Sequence, residues 1–271
     1  MLKQRIITAL FMLPVALCGF FLLNHGWFAL FIGAVVTVGA WEWARLAGCA
    51  GQAQRMGYAA VVAVLLSILY QLPQLAAWVL LLGVCWWGVA TVLVLKYPAS
   101  SRLWSAGTTR IVIGLLILIP AWQGLVLFKQ WPESNSLILA VMVLVWGADI
   151  GAYFSGRRFG KRKLAPQVSP GKSWEGVYGG LAATLVICAG VSYYRDWSLG
   201  IAVLAMAATV LVVFASVVGD LTESMFKRQA GLKDSSNLLP GHGGILDRID
   251  SLTAAIPVFA AVLWLSGWGS V

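Results

Sequence analysis

Charge is scarce in this chain. Of its 271 residues 11% are Asp, Glu, Lys or Arg and 60% are hydrophobic, with a mean hydropathy of +0.86, whereas a soluble domain carries roughly 25% charged residues. Too few polar groups are present to cover a water-facing surface, which excludes a soluble globular fold. Cysteine is also sparse: Cys18, Cys49, Cys85 and Cys188 stand apart, three of them inside apolar runs and none in CxxC spacing, so neither a disulfide framework nor a zinc site is supported. Alternation of polar and apolar residues is missing too, which excludes a transmembrane β-barrel.

What remains is a series of long apolar runs. A helix needs about 20 apolar residues to cross a bilayer, and such runs lie near residues 7–23, 27–44, 57–72, 76–95, 111–128, 136–155, 176–194, 198–219 and 251–268. They predict an all-α, polytopic integral membrane protein of about nine transmembrane helices. The first run follows Lys3 and Arg5 but precedes no small-x-small cleavage site, so it reads as a retained helix and not as a signal peptide.

A net charge of +9 raises the question of nucleic acid, and the placement of the charges answers it. With the N-terminus in the cytoplasm and the C-terminus outside, all but Lys129 and Arg195 of the 19 Lys and Arg residues fall in cytoplasmic loops or helix ends, as the positive-inside rule expects. The basic residues therefore act as an orientation signal, and no nucleic-acid partner is implied.

Acidic residues divide the chain unevenly. Residues 1–130, holding five helices, contain one, Glu42; its spacing of three from Arg45 predicts a local ion pair. Residues 131–271, holding four helices, contain the rest. Two cytoplasmic segments there, 156–175 and 220–250, concentrate the polar chemistry, and no internal repeat is evident.

Four stretches carry that chemistry. Asp149, in "VLVWGADIGAYF", lies within a span, where an aspartate costs about 2.5–3.5 kcal/mol and faces a partner or polar cavity. In "SPGKSWEG" a Pro170–Gly171 turn precedes a helix start, and Lys172 and Ser173 sit where an anion is favoured; a plain capped helix start explains it equally well, and the Walker A spacing is absent. In "GDLTESMFKR", Asp220, Glu223 or Ser224, and Lys227 return to one face if the helix continues. In "KDSSNLLPGHGGILDRID", Pro240, Gly241, Gly243 and Gly244 surround His242, and Asp247 and Asp250 flank Arg248 as a helix begins. Carboxylates beside Lys and Arg at a membrane surface suit a Mg²⁺-bound polyphosphate.

The last two stretches closely resemble the phosphatidate cytidylyltransferases, or CDP-diacylglycerol synthases, of the bacterial type. Ser224, Met225, Phe226, Lys227 and Arg228, then Lys233 and Asp234, then Pro240 through Gly244, then Asp247, Arg248, Ile249 and Asp250 follow that family's pattern without departure. "WGADIGAYFSGRRFGK" and "SPGKSWEG" are also similar to it, although Gly171 and Ser173 stand where a basic residue and Thr are common. The resemblance implies transfer of CMP from CTP to phosphatidic acid, in phospholipid synthesis at the bacterial inner membrane, with the site facing the cytoplasm. It implies metal roles for Asp220, Asp247 and Asp250, with Mg²⁺ and room for a second cation. Asp220, Asp247, Lys227, Arg228, His242 and Arg248 would be catalytic. Lys172, Ser173, Ser224, Lys233, Asp234, Gly243, Gly244 and Asp149 would bind substrate. Membrane lipids would surround the spans, and a homodimer is compatible.

Other readings are a CTP-dependent enzyme acting on another lipid acceptor, or a secondary transporter with Asp149 in its path. The basic loops and the lack of repeats weigh against transport. The DGxxAR…GxxxD…D pattern of CDP-alcohol phosphotransferases is missing.

Overall fold

Within a bilayer the backbone has no water to bond to, so each apolar run closes its hydrogen bonds internally as a helix. The computed structural model describes residues 2–267 and is built from nine α-helices: α1 (Leu2–Leu17), α2 (His25–Leu46), α3 (Gln52–Gln71), α4 (Ala76–Leu95), α5 (Gly107–Gln130), α6 (Ser134–Phe159), α7 (Trp174–Tyr194), α8 (Leu199–Gln229) and α9 (Leu246–Leu265). Eight of them, α2 to α9, are long and apolar enough to cross a membrane, α4 together with the 3₁₀ turn before it. The remaining helix, α1, is 16 residues long and runs on into a π-helical turn, Cys18–Leu22. That first segment touches both ends of the bundle. Thr8 Oγ1 donates to the Pro240 carbonyl at 2.9 Å, while the carbonyls of Phe20 and Phe21 accept from Lys129 Nζ and Asn135 Nδ2 at the other end.

Small residues set the closest helix contact. Gly147, Gly151 and Ser155 recur every fourth residue along one face of α6, and glycines of α7 lie against them. A Cβ on Gly180 would stand 2.5 Å from the Ala148 carbonyl oxygen, and one on Gly151 would stand 2.8 Å from that of Gly179. Helices in lipid lack a hydrophobic drive toward each other and associate through such close packing. α8 and α9 meet as tightly, where a Cβ on Gly219 would lie 2.6 Å from the Asp250 carbonyl.

Successive spans alternate in direction, which gathers the ends of α2, α6 and α8 with the starts of α5, α7 and α9. Trp43 Nε1 of α2 donates to the Arg110 carbonyl of α5 at 2.8 Å. Phe226 of α8 packs its ring 4.8 Å from that of Trp43 and 4.4 Å from that of Trp104. All three rings are buried, and they fix the last turns of α8 against the first half of the chain.

Two local expectations change. Residues 163–173 form a small antiparallel hairpin of β1 (Lys163–Ala165) and β2 (Ser169–Ser173), with Lys163 opposite Ser173; Pro170 and Gly171 thus lie in a strand, not in a turn. The segment 220–250 is about half helix, because α8 continues to Gln229 and α9 already starts at Leu246. The non-helical connection is residues 230–245.

Candidate active site

The continuation of α8 places Asp220, Glu223, Ser224 and Lys227 on one face, turned toward α9 and the hairpin. Lys227 Nζ sits between two carboxylates, 2.6 Å from Asp247 Oδ1 and 3.0 Å from Glu223 Oε1. Asp247 Oδ2 then accepts from the backbone N–H and the hydroxyl of Ser235, both at 2.9 Å, and from the Gly244 N–H at 2.8 Å. A carboxylate offers about four lone-pair positions, and four donors meet this one.

A second buried carboxylate completes the arrangement, and the sequence had not suggested it. Glu42, fully buried in α2, accepts from Ser236 Oγ (2.6 Å) and the Ile245 N–H (3.0 Å) on Oε1, and from Ser235 Oγ (3.1 Å) and the Leu246 N–H (2.6 Å) on Oε2. The expected Glu42–Arg45 ion pair is not among those of the described residues; Arg45 instead donates to the Ser235 carbonyl at 3.4 Å. The two share a helix face, as their spacing predicts, but both use it to grip the 235–246 segment. Gly244, Ile245 and Leu246 expose successive N–H groups at the start of α9, and Asp247 and Glu42 satisfy all three, a favourable place for negative charge. The signal that would have singled out Glu42 was its being the sole acid in 130 residues.

The glycine loop has internal causes too. His242 N donates to the Leu239 carbonyl at 2.9 Å, with Pro240 and Gly241 (φ +78°) between them, the pattern of a type II turn, which favours Pro and then Gly at its centre. A Cβ on Gly244 would lie 2.1 Å from Ser235 Oγ and 2.5 Å from Glu42 Oε1; one on Gly243 would lie 2.8 Å from Asp247 Oδ2. Part of the room expected for a ligand is therefore filled by the protein's own carboxylates. Beside the turn is a cavity of about 630 Å³ lined by Lys233, Asp234, Asn237, Leu239, Pro240, Gly241, His242, Gly243 and Arg248. His242 Nδ1 is buried without a hydrogen-bond partner among the described residues.

A second cluster lies deeper. Lys172 Nζ of β2 is 2.6 Å from Asp220 Oδ2, both side chains about a quarter exposed, and Ser224 Oγ donates to Asp220 Oδ1 at 3.1 Å. Asp220 is near enough for its charge to act on Asp149 and on Asp250. Asp149, Lys172 and Ser173 line a cavity of about 190 Å³ between α6, α7 and α8, otherwise walled largely by Gly, Ala and Val. Ser173 caps α7, its Oγ accepting from the Gly176 N–H at 3.2 Å, so the capped-start reading of "SPGKSWEG" holds for Ser173 while Lys172 faces the acids. Arg228 donates to the carbonyls of Val168 and Leu232 at 3.3 and 3.4 Å, tying the hairpin to α8.

For a metal, the fit differs by residue. No group of three or more His, Cys, Asp or Glu side chains is arranged to hold an ion among the described residues. Asp247 is committed to its four donors. Asp220 and Asp250, on helices in close contact, fit better: Asp250 Oδ1 accepts only the adjoining Ser251 N–H among the described residues, leaving lone pairs for a cation.

Membrane-length helices that gather Lys, Arg and carboxylates at one end, beside a polar cavity and an apolar one, define an integral membrane enzyme acting on an anionic substrate at the bilayer surface. The chain belongs to the Cytidylyltransferase family, whose model matches residues 3–266. It is 72% identical over 270 residues to a Pseudomonas aeruginosa protein named phosphatidate cytidylyltransferase, covering 100% of both chains. A Haemophilus influenzae protein of that name is 42% identical, with 96% of this chain and 98% of that one covered. One from Brucella suis is 36% identical, with coverage of 98% and 93%.

Proposed function

We propose that this chain is a phosphatidate cytidylyltransferase: it transfers CMP from CTP to the phosphate of phosphatidic acid, giving CDP-diacylglycerol and pyrophosphate. The observation that carries the reading is the presence of two unlike cavities together with the Lys172–Asp220 and Lys227–Asp247 clusters of α8. One is polar, bordered by Lys233, His242 and Arg248. The other, with Asp149 and Lys172, opens among the apolar walls of α6 to α8. A water-soluble nucleotide would suit the first and a membrane-held phosphate the second.

In the reaction a phosphate oxygen of the lipid forms a bond to the α-phosphorus of CTP, and the bond from that phosphorus to the bridging oxygen of pyrophosphate breaks. The second pKa of a phosphate monoester is about 6, so the nucleophile is already largely ionised near neutrality and no strong base is needed. The barrier lies in bringing anions together and stabilising charge on the departing pyrophosphate, which falls to fixed cations. Lys233, Arg248 and His242 would take the nucleotide phosphates, and Lys172 the lipid phosphate; Lys227 and Arg228 hold the frame. Asp220 and Asp250, with Asp149 beside them, would hold Mg²⁺, which supplies charge neutralisation on the phosphates. Asp247 joins them only by releasing Lys227. A second cation would share these carboxylates.

The site faces the cytoplasm of the bacterial inner membrane in this reading, supported by the basic loops at its end of the bundle. That support does not depend on α1, because α2 to α9 alone place Lys129 and Arg195 opposite the site. Purified protein given labelled CTP, phosphatidic acid and Mg²⁺ should yield CDP-diacylglycerol and pyrophosphate. A labelled product on another lipid, with none on phosphatidic acid, would replace the acceptor in this reading.

A further inference from the structure

Glu42 lies outside the nucleotide cavity, on a helix in the half of the chain that supplies none of the signature motif, yet its carboxylate is the point on which the segment 235–246 converges. Each of its oxygens accepts one serine hydroxyl and one backbone N–H. Ser235 spans the two carboxylates, its single hydroxyl proton lying between Glu42 and Asp247. Gly244 has no side chain where the Glu42 carboxylate stands. Ser235 and Ser236 are buried with Glu42. We infer that Glu42 is a positioning residue for nucleotide binding: through Ser235, Ser236 and the first N–H groups of α9, it holds the loop that presents Lys233, His242 and Arg248 to CTP.

The chemistry makes the role specific to a carboxylate. Two backbone N–H groups and two hydroxyls point at one position, and only a group with four acceptor sites and no donor meets them all. An amide of the same shape would turn its NH₂ toward one backbone N–H whichever way it was oriented. Hydroxyls can rotate away from such a contact, but the N–H groups of Ile245 and Leu246 are fixed by α9. The loop would then shift relative to α9, moving the walls of the 630 Å³ cavity while the 190 Å³ cavity between α6, α7 and α8, which none of these bonds touches, stays in place.

This inference rests on the reading that the 233–248 loop binds CTP, and the test separates the two. Glu42→Gln, Ser236→Ala and Lys233→Ala are assayed in the full-length protein for the KM of CTP, the KM of phosphatidic acid, kcat and thermal stability. Glu42→Gln should raise the CTP KM about tenfold or more, with the phosphatidic acid KM within about twofold, since hydrogen bonds to a charged group are individually strong. Ser236→Ala, which removes the 2.6 Å bond to Glu42 and the 3.0 Å bond accepted from the Leu238 N–H and buries no charge, should shift the CTP KM in the same direction by less. A merely structural role would lower the amount of active enzyme, and so kcat, at unchanged KM. An unchanged CTP KM in Glu42→Gln, or equal rises in both KM values, overturns the inference. If Glu42→Gln does not fold, Ser236→Ala decides by the same criterion. A CTP KM raised in Lys233→Ala alone leaves the loop reading intact and removes the role of Glu42. A CTP KM unchanged in Lys233→Ala removes the loop reading and this inference with it.

Discussion

Replacing either partner of the Lys227–Asp247 pair should be severe, but unequally so, and the order follows from the third member. Lys227 lies within reach of both Asp247 and Glu223, at 2.6 and 3.0 Å, with side chains 10% exposed for the lysine and 4% for each acid. Asp247→Asn removes one negative charge and leaves Lys227 beside Glu223, so the buried set becomes balanced. Its cost is the lost charge-assisted bonds, since an amide NH₂ must face either Lys227 or the Ser235 and Gly244 donors. Lys227→Met removes the cation and leaves two carboxylates together in a buried place. Breaking a buried pair costs about 3–5 kcal/mol; Asp247→Asn belongs near the lower bound and Lys227→Met near or above the upper. If half of the smaller loss were expressed in the transition state, turnover would fall at least about tenfold. The measurements are thermal unfolding in detergent and CDP-diacylglycerol formation for both single variants and for the double variant. The double should be less destabilised than the sum of the singles, because it strands no charge opposite Asp247. Near-normal stability and turnover in Asp247→Asn, or a greater loss there than in Lys227→Met, would refute the reasoning.

Gly244→Ala should behave like a direct insult to the Glu42 anchor: its Cβ would lie 2.1 Å from Ser235 Oγ and 2.5 Å from Glu42 Oε1, and overpacking of this kind costs about 1–3 kcal/mol. CTP turnover should be lost, with the Asp247→Asn stability assay reporting the strain. Gly180→Val should separate α6 from α7, since even a Cβ would sit 2.5 Å from the Ala148 carbonyl; the 190 Å³ cavity shares those helices, so the KM for phosphatidic acid should rise more than that for CTP, and an unchanged lipid KM would detach this cavity from the lipid phosphate.

Hydropathy made the spans legible because a bilayer allows so few alternatives: every run from 27–44 onward became a membrane-length helix. The ends were less so. An apolar window stops where charge begins, at Val218 or Gly219, yet α8 carries on to Gln229, because Asp220, Ser224 and Lys227 are placed on one face by the helix itself and Phe226 is buried against Trp43 and Trp104. The motif residues were visible as a pattern, but their partners were not. Glu42 lies 193 to 204 residues from the groups it binds, and no local spacing reports such a contact. Its nearness to Arg45 along the chain offered a simpler explanation, and that explanation was the wrong one.

The division of labour among the charged groups follows from burial. Glu42, Glu223, Asp247 and Lys227 are all buried, and all four are tied to one another or to the start of α9. Charges so enclosed are costly to move, which suits a frame and does not suit groups that must follow a substrate from triphosphate to pyrophosphate. Lys233 and Arg248 line the open cavity instead, with Asp234 as their only acidic neighbour in its wall. Lys172 and Asp220 fall between, paired but a quarter exposed, so the lysine can exchange a carboxylate for a phosphate without leaving its place. An enzyme that must join two anions gains from this separation: the buried acids fix the geometry through backbone donors, and excess positive charge is left at the open cavity proposed for the nucleotide.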